Sequence, residues 1–154
     1  MSEIKILIID DEEDFCQHLS ESIGKEINGI TIAYCVNGTK ALEKIKSQKF
    51  DLMICDLKMP GLDGKEILQL VSKLPKEQHP TYILMLSGLL AHVPSYSALK
   101  KVSYMGKPFT PKQMFDFVKR VKQTILQNGQ SDVGFSHIED KLLQEVEKYL
   151  REIF

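Results

Sequence analysis

The chain alternates short, almost wholly apolar runs with stretches in which apolar residues recur every three or four positions. Ile4-Lys5-Ile6-Leu7-Ile8-Ile9 is the first run. Most of it is β-branched, which suits a central strand covered on both faces, as in a parallel sheet. It ends abruptly in Asp10-Asp11-Glu12-Glu13-Asp14. Phe15, Leu19 and Ile23 then fall four apart and predict a helix that Gly24 or Asn28-Gly29 can stop.

The same unit recurs. Ile30 to Cys35 reads as a strand, Asn37-Gly38 as a turn, and Ala41, Leu42 and Ile45 as a helical stripe. Leu52-Met53-Ile54-Cys55 is a third strand ending at Asp56, followed by a Gly-, Pro- and Asp-rich loop from Leu57 to Gly64. Ile67, Leu68 and Val71 mark a third helix, and Pro75 and Pro80 break the chain. Tyr82-Ile83-Leu84-Met85-Leu86 is a fourth strand ending at Ser87-Gly88. A fourth helix is expected between Leu89 and Lys101, short and starting near or after Pro94, because proline disrupts an interior turn. Val102-Ser103-Tyr104-Met105 is a brief fifth strand. Thr110-Pro111 is a good cap and first-turn pair for a long fifth helix, with Met114, Phe115, Val118, Val121 and Ile125 on its buried side.

Strand and helix alternate five times through connections too long for hairpins. The expected architecture is α/β: a doubly wound, five-stranded parallel sheet with helices on both faces. The polar, Gly-bearing segment 128–135 reads as a linker between a domain over 1–127 and a C-terminal amphipathic helix over 136–154. Ile138, Leu142, Val146, Tyr149, Leu150 and Ile153 form that helix's stripe. Leu143, Val146, Leu150 and Ile153 also fit two heptads, too few to establish a coiled coil. The helix can pack on its own domain, dimerise or bind a partner, or begin an output domain.

Composition narrows the function classes. With 154 residues, 43% hydrophobic and 27% charged, the chain is of ordinary globular type. A net charge of -1 offers no broad face for nucleic acid. No apolar run is long enough to span a bilayer, and the N-terminus lacks the basic and apolar regions of a signal peptide. Cys16, Cys35 and Cys55 show no zinc-ligand spacing, so reduced, buried thiols and a cytoplasmic location are expected.

On this frame Asp10, Asp11, Asp56, Ser87 and Lys107 all fall at or just past the carboxyl ends of strands, where open α/β sheets bind ligands. Converging carboxylates either protonate or bind a cation, and hard oxygen ligands suit Mg²⁺. A carboxylate can also be a nucleophile toward phosphorus, with a metal, an ammonium and a hydroxyl stabilising the transferred group. Helix-dipole and capping chemistry accounts for Glu12, Glu13 and Asp14. It does not account for Asp56, or for Ser87 and Lys107 on the same rim.

Ile8-Ile9-Asp10-Asp11-Glu12, then Asp51 to Gly64 (DLMICDLKMPGLDG), then Leu86-Ser87-Gly88, then Gly106-Lys107-Pro108-Phe109 resembles the receiver domain of two-component response regulators over residues 3–127. The resemblance implies a flavodoxin-like sheet of order 2-1-3-4-5. It implies Asp56 as phospho-acceptor, Mg²⁺ held by Asp10, Asp11, Asp56 and the backbone carbonyl of Lys58, and Lys107 on the phosphoryl oxygens. Ser87 becomes the switch hydroxyl and Tyr104 the switch aromatic that turns inward. Gly88 favours access for small phosphodonors or water. The implied donor is a histidine kinase or phosphotransfer protein, and the implied output is a protein target. A homodimer would form through the C-terminal helix or through the face made by helix four, strand five and helix five. Direct nucleic-acid or membrane binding is not implied, and catalysis is confined to the domain's own phosphorylation and dephosphorylation.

Two departures stand out. The segment between Ser87 and Lys107 is slightly short, and Lys100-Lys101-Val102 replaces the usual Gly-Ala turn. Two other functions compete. One is a phosphorylation-independent scaffold or dimerisation module on the same fold. The other is an aspartyl-nucleophile phosphohydrolase, disfavoured because Lys58 stands where a second aspartate is expected.

Overall fold

The computed structural model describes residues 3–88, 99 and 101–128. Five strands, β1 (Ile4–Ile9), β2 (Ile30–Cys35), β3 (Leu52–Asp56), β4 (Tyr82–Ser87) and β5 (Val102–Gly106), form one sheet of order β2-β1-β3-β4-β5. Every pairing is parallel. The helices among the described residues are α1 (Glu13–Glu26), α2 (Gly38–Ser47), α3 (Gly64–Ser72) and α4 (Pro111–Asn128), with a 3₁₀ turn at Lys76–Gln78 between Pro75 and Pro80.

The near-continuous apolar runs are explained by burial on both faces. On one face Ile4, Ile6, Ile8, Ile54 and Leu84 pack against Cys16, Leu19 and Ile23 of α1 and Met114, Val118 and Val121 of α4. On the other, Leu7, Ile9, Met53, Cys55 and Met85 pack against Ala41 and Ile45 of α2 and Ile67, Leu68 and Val71 of α3. Side chains alternate faces along a strand, so each run supplies both cores at once.

The expected sheet and strand order stand, with three local differences. Asn37-Gly38 is not a free turn but the start of α2, with the Asn37 side chain accepting from the Lys40 amide at 2.9 Å. Asparagine serves turns and N-caps equally well, so the pair alone does not separate them. Gly24 does not stop α1, which runs to Glu26. Phe117 joins the buried side of the helix predicted as the fifth, which is α4 here. Its first turn is closed reciprocally: the Gln113 amide donates to Thr110 Oγ1 and the Thr110 amide to Gln113 Oε1. The predicted fourth helix and the C-terminal helix lie outside the described residues.

Gly64 holds the loop after β3 close to the sheet. A Cβ there would sit 2.4 Å from the Asp56 carbonyl oxygen and 2.7 Å from Leu57 Cα. Asp63 caps α3 in a capping box with Glu66. The Gly64 amide donates to the Leu57 carbonyl at 3.0 Å, and the Leu57 amide donates to Leu86 of β4 at 2.8 Å. The end of β3 is therefore fixed from both sides.

Candidate active site

β1, β3 and β4 stop at the same rim of the sheet, and the residues at their ends converge there. Asp10 follows β1 directly and is only 1% exposed. Its Oδ1 accepts the Glu12 amide at 2.9 Å, which turns the chain into α1. Asp11 beside it is exposed. Asp56 ends β3, half-buried, and its Oδ1 accepts the Lys58 amide at 3.3 Å. One carboxylate oxygen from each of Asp10, Asp11 and Asp56 lies within 4.8 Å of the others.

Lys107, the residue after β5, reaches this cluster from the edge of the sheet. Its amide donates to the Ser87 carbonyl at 2.8 Å, extending the β4–β5 ladder by one step and fixing where its side chain leaves the sheet. The ammonium then lies 2.9 Å from Asp10 Oδ2 and 3.5 Å from Asp56 Oδ2. It also sits over the face of Phe15, 4.5 Å from the ring centroid. The Lys107–Pro108 peptide bond is cis.

The electrostatics follow from this crowding. Two like charges about 4–5 Å apart near a protein surface repel by about 3–4 kcal/mol. Lys107 supplies one positive charge against three carboxylates, which leaves room for a divalent cation. Burial raises the pKa of Asp56, and Asp10 adds to this, while Lys107 and the Lys58 amide pull the other way. Burial also works against the charge on Lys107, but the hydrogen bond to Asp10 and the charges of Asp10 and Asp56 outweigh it. The ammonium's pKa is therefore raised. All three acids offer hard oxygens, and the donor set fits a small divalent metal.

The other sequence candidates are at the same rim. Ser87 is buried at the end of β4, and Gly88 is exposed, with no heavy atom of the described residues within 4 Å of where a side chain would stand. Lys58 is exposed in the loop after β3. Tyr104 is paired in register with Met85 and buried among the residues of the α2/α3 core. Cys16, Cys35 and Cys55 are free and buried. Burial pushes the Cys16 thiol up to about 11 and that of Cys55 well above its ordinary value.

Two features of the site were not read from the sequence. Cys16 Sγ donates to the Asp10 carbonyl at 3.4 Å from beneath. Phe15, read only as the first residue of a helical stripe, forms a wall of the site, with its ring at 72° to that of Phe109 and the centroids 6.2 Å apart. Its place in the first turn after the acidic run was the available signal. Among the described residues, no helix is long and apolar enough to cross a membrane.

The response regulator receiver domain family matches residues 6–119. The sporulation initiation phosphotransferase F of Bacillus subtilis is 33% identical over 75% of this chain and 91% of its own length. A protein-glutamate methylesterase/protein-glutamine glutaminase of Vibrio parahaemolyticus is 31% identical over 79% of this chain, which spans only 32% of that protein. The solved structure of a chemotaxis response regulator of Vibrio cholerae superposes with a TM-score of 0.64 at 26% identity, covering 78% of this chain and 99% of that one. Receiver domains of this kind catalyse their own phosphorylation and dephosphorylation rather than acting on external substrates. With its parallel sheet, its strand order and its acidic rim, the chain belongs to the response regulator receiver domain family.

Proposed function

We propose that Asp56 takes a phosphoryl group from a phosphohistidine donor and that the modified rim then changes what the domain binds. The observation that carries this reading is the convergence of three carboxylates within 4.8 Å, with Lys107 between Asp10 and Asp56. An Asp56 carboxylate oxygen attacks phosphorus, the phosphorus–nitrogen bond to imidazole breaks, and the donor leaves with a proton. Asp56 is held for attack by the Lys58 amide and by the anchored end of β3.

Asp10, Asp11, Asp56 and the Lys58 carbonyl would hold Mg²⁺, which when bound supplies positive charge against the transferring phosphoryl oxygens. Lys107 exchanges Asp10 for a phosphoryl oxygen. Ser87, at the end of β4, supplies the hydroxyl that the new dianion recruits. Tyr104 is held in the buried position it already has. The lack of a side chain at Gly88 favours access for small donors and water. The donor is a histidine kinase or phosphotransfer protein in the cytoplasm, consistent with free thiols at the core and with the phosphotransferase named among the relatives. The output is contact with a protein target, or a homodimer formed by the C-terminal segment or the surface around β5 and α4.

Incubation of the protein with acetyl phosphate and Mg²⁺ tests this. Intact mass should show one added phosphoryl group, absent in Asp56→Asn and abolished by a chelator. No adduct on the wild-type protein, or an adduct that persists in Asp56→Asn, overturns the reading.

A further inference from the structure

We propose that Phe15 is a positioning residue for phosphoryl transfer, its ring face serving as the platform on which the Lys107 ammonium moves between Asp10 and the phosphoryl group. This rests on the function proposed above. Lys107 carries its charge on a flexible four-carbon stem. Among the described residues that charge has three partners: Asp10 at 2.9 Å, Asp56 at 3.5 Å, and the Phe15 ring at 4.5 Å from its centroid.

Asp10 is the nearest of these, yet it is the partner Lys107 has to leave when a phosphoryl group arrives on Asp56. A carboxylate hydrogen bond is directional and is lost within a short displacement. The face of an aromatic ring attracts a cation over a broader area, out to about 6 Å from the centroid. Phe15 can therefore hold the ammonium while its oxygen partner changes. A leucine there would fill similar space without attracting the charge. The ring is itself braced, edge against face with Phe109, two residues beyond Lys107, and it grows from the first turn of α1, whose start is tied to Asp10 through the Glu12 amide. One short segment thus sets the distance between the metal-side acid and the platform.

The test replaces Phe15 in the full chain with 4-fluoro-, 3,5-difluoro- and pentafluorophenylalanine. These change the shape little but progressively weaken the negative face of the ring. Phosphorylation rates with acetyl phosphate are measured at saturating Mg²⁺, and Mg²⁺ affinity is measured separately by calorimetry. The rate should fall stepwise with fluorination, by about five-fold across the series, with Phe15→Leu near the bottom and Phe15→Tyr near wild type. Mg²⁺ affinity should hold or rise, because a loosened Lys107 competes less for Asp10. A flat or rising rate across the series overturns the proposal. So does a parallel fall in rate and Mg²⁺ affinity, which marks general damage to the site. Failure of the wild-type protein to take a phosphoryl group at all counts against the function itself. A flat series on a protein that does become phosphorylated counts against Phe15 alone.

Discussion

At the carboxyl ends of the strands, Asp10, Asp11 and Asp56 converge within 4.8 Å and share the ammonium of Lys107. At the amino ends, Lys49, Lys76 and Lys101 line a cavity of about 560 Å³ together with His79, Thr81 and Leu99. Both ends of the sheet are thus charged, and the net -1 of the chain conceals the segregation. Lys49 and Lys101 at the amino end have separate partners. Lys49 donates to the His79 backbone carbonyl, and Lys101 lies over the Tyr82 ring, 4.8 Å from its centroid. The acids at the carboxyl end are aimed at one point, and a single lysine does not neutralise them. What separates a reactive rim from a merely charged one is convergence with incomplete compensation. Convergence depends on strand ends fixed by short loops.

The largest effect should come from loosening that fixation. Gly64→Ala places a methyl group 2.4 Å from the Asp56 carbonyl and 2.7 Å from Leu57 Cα, contacts with backbone that a rotamer change cannot relieve. Denaturant unfolding should show a loss of about 3 kcal/mol, the upper end for overpacking. The residual folded protein should bind Mg²⁺ more weakly, because Asp56 is displaced from Asp10 and Asp11. Unchanged stability would mean that the loop after β3 can shift freely, and the argument from fixed strand ends would fail.

Next is the compensation itself. Lys107→Met leaves Asp10, only 1% exposed, without its cation. Breaking a buried pair on one side costs about 3–5 kcal/mol. Lys107 is partly in water, with its side chain 28% exposed, so about 2 kcal/mol is expected at neutral pH. Mg²⁺ should raise the melting temperature of this variant by more than that of wild type, since it replaces the missing charge and binds only the folded rim. Equal shifts in the two proteins would show that Lys107 and the metal do not compete for the same acids.

Much of this was legible in the residue order, for a physical reason. Parallel strands buried on both faces must be apolar almost throughout, so Ile4–Ile9, Leu52–Asp56 and Tyr82–Ser87 announced themselves and their ends. The polar residue following each end then had to lie on one rim. Asp10, Asp56, Ser87 and Lys107 were placed in this way. Contacts that depend on how a side chain leaves its helix were not legible. Phe15 fits a core stripe and also the wall of the site, and periodicity does not separate the two. The Lys107–Asp10 bond joins residues at opposite ends of the domain, and no local pattern encodes it. Tyr104 was equally open, because a strand position gives its face but not its depth.

Asp56 offers a smaller effect of the opposite sign. Burial raises its pKa in the folded protein, so its ionised form is penalised on folding. The contribution is neutral below the pKa of the unfolded carboxyl, turns unfavourable as pH rises through that value, and reaches its full size once pH passes the folded value. Asp56→Asn should therefore stabilise the fold at neutral pH, on the order of 1 kcal/mol, with the gain vanishing in the acid range below the unfolded pKa. Melting temperatures of both proteins across that range would show it. A variant less stable than wild type at neutral pH would mean that attraction by Lys107 outweighs crowding, and that the rim is compensated after all.

The smallest effect belongs to the amino end. Burial lowers the pKa of Lys49, Lys101 adds to this, and Asp51 opposes it. Its charge is a mild liability and not the counter-ion of anything buried. Lys49→Met loses the hydrogen bond to the His79 carbonyl but removes a partly desolvated ammonium, and the residue as a whole is exposed. Stability should change by less than about 0.5 kcal/mol, as for ordinary surface substitutions. The phosphorylation rate should not change, since the site lies at the other end of the sheet. A loss comparable to that of Lys107→Met would erase the distinction between the two ends, because it would show that a lysine bonded to a backbone carbonyl matters as much as one shared between converging acids.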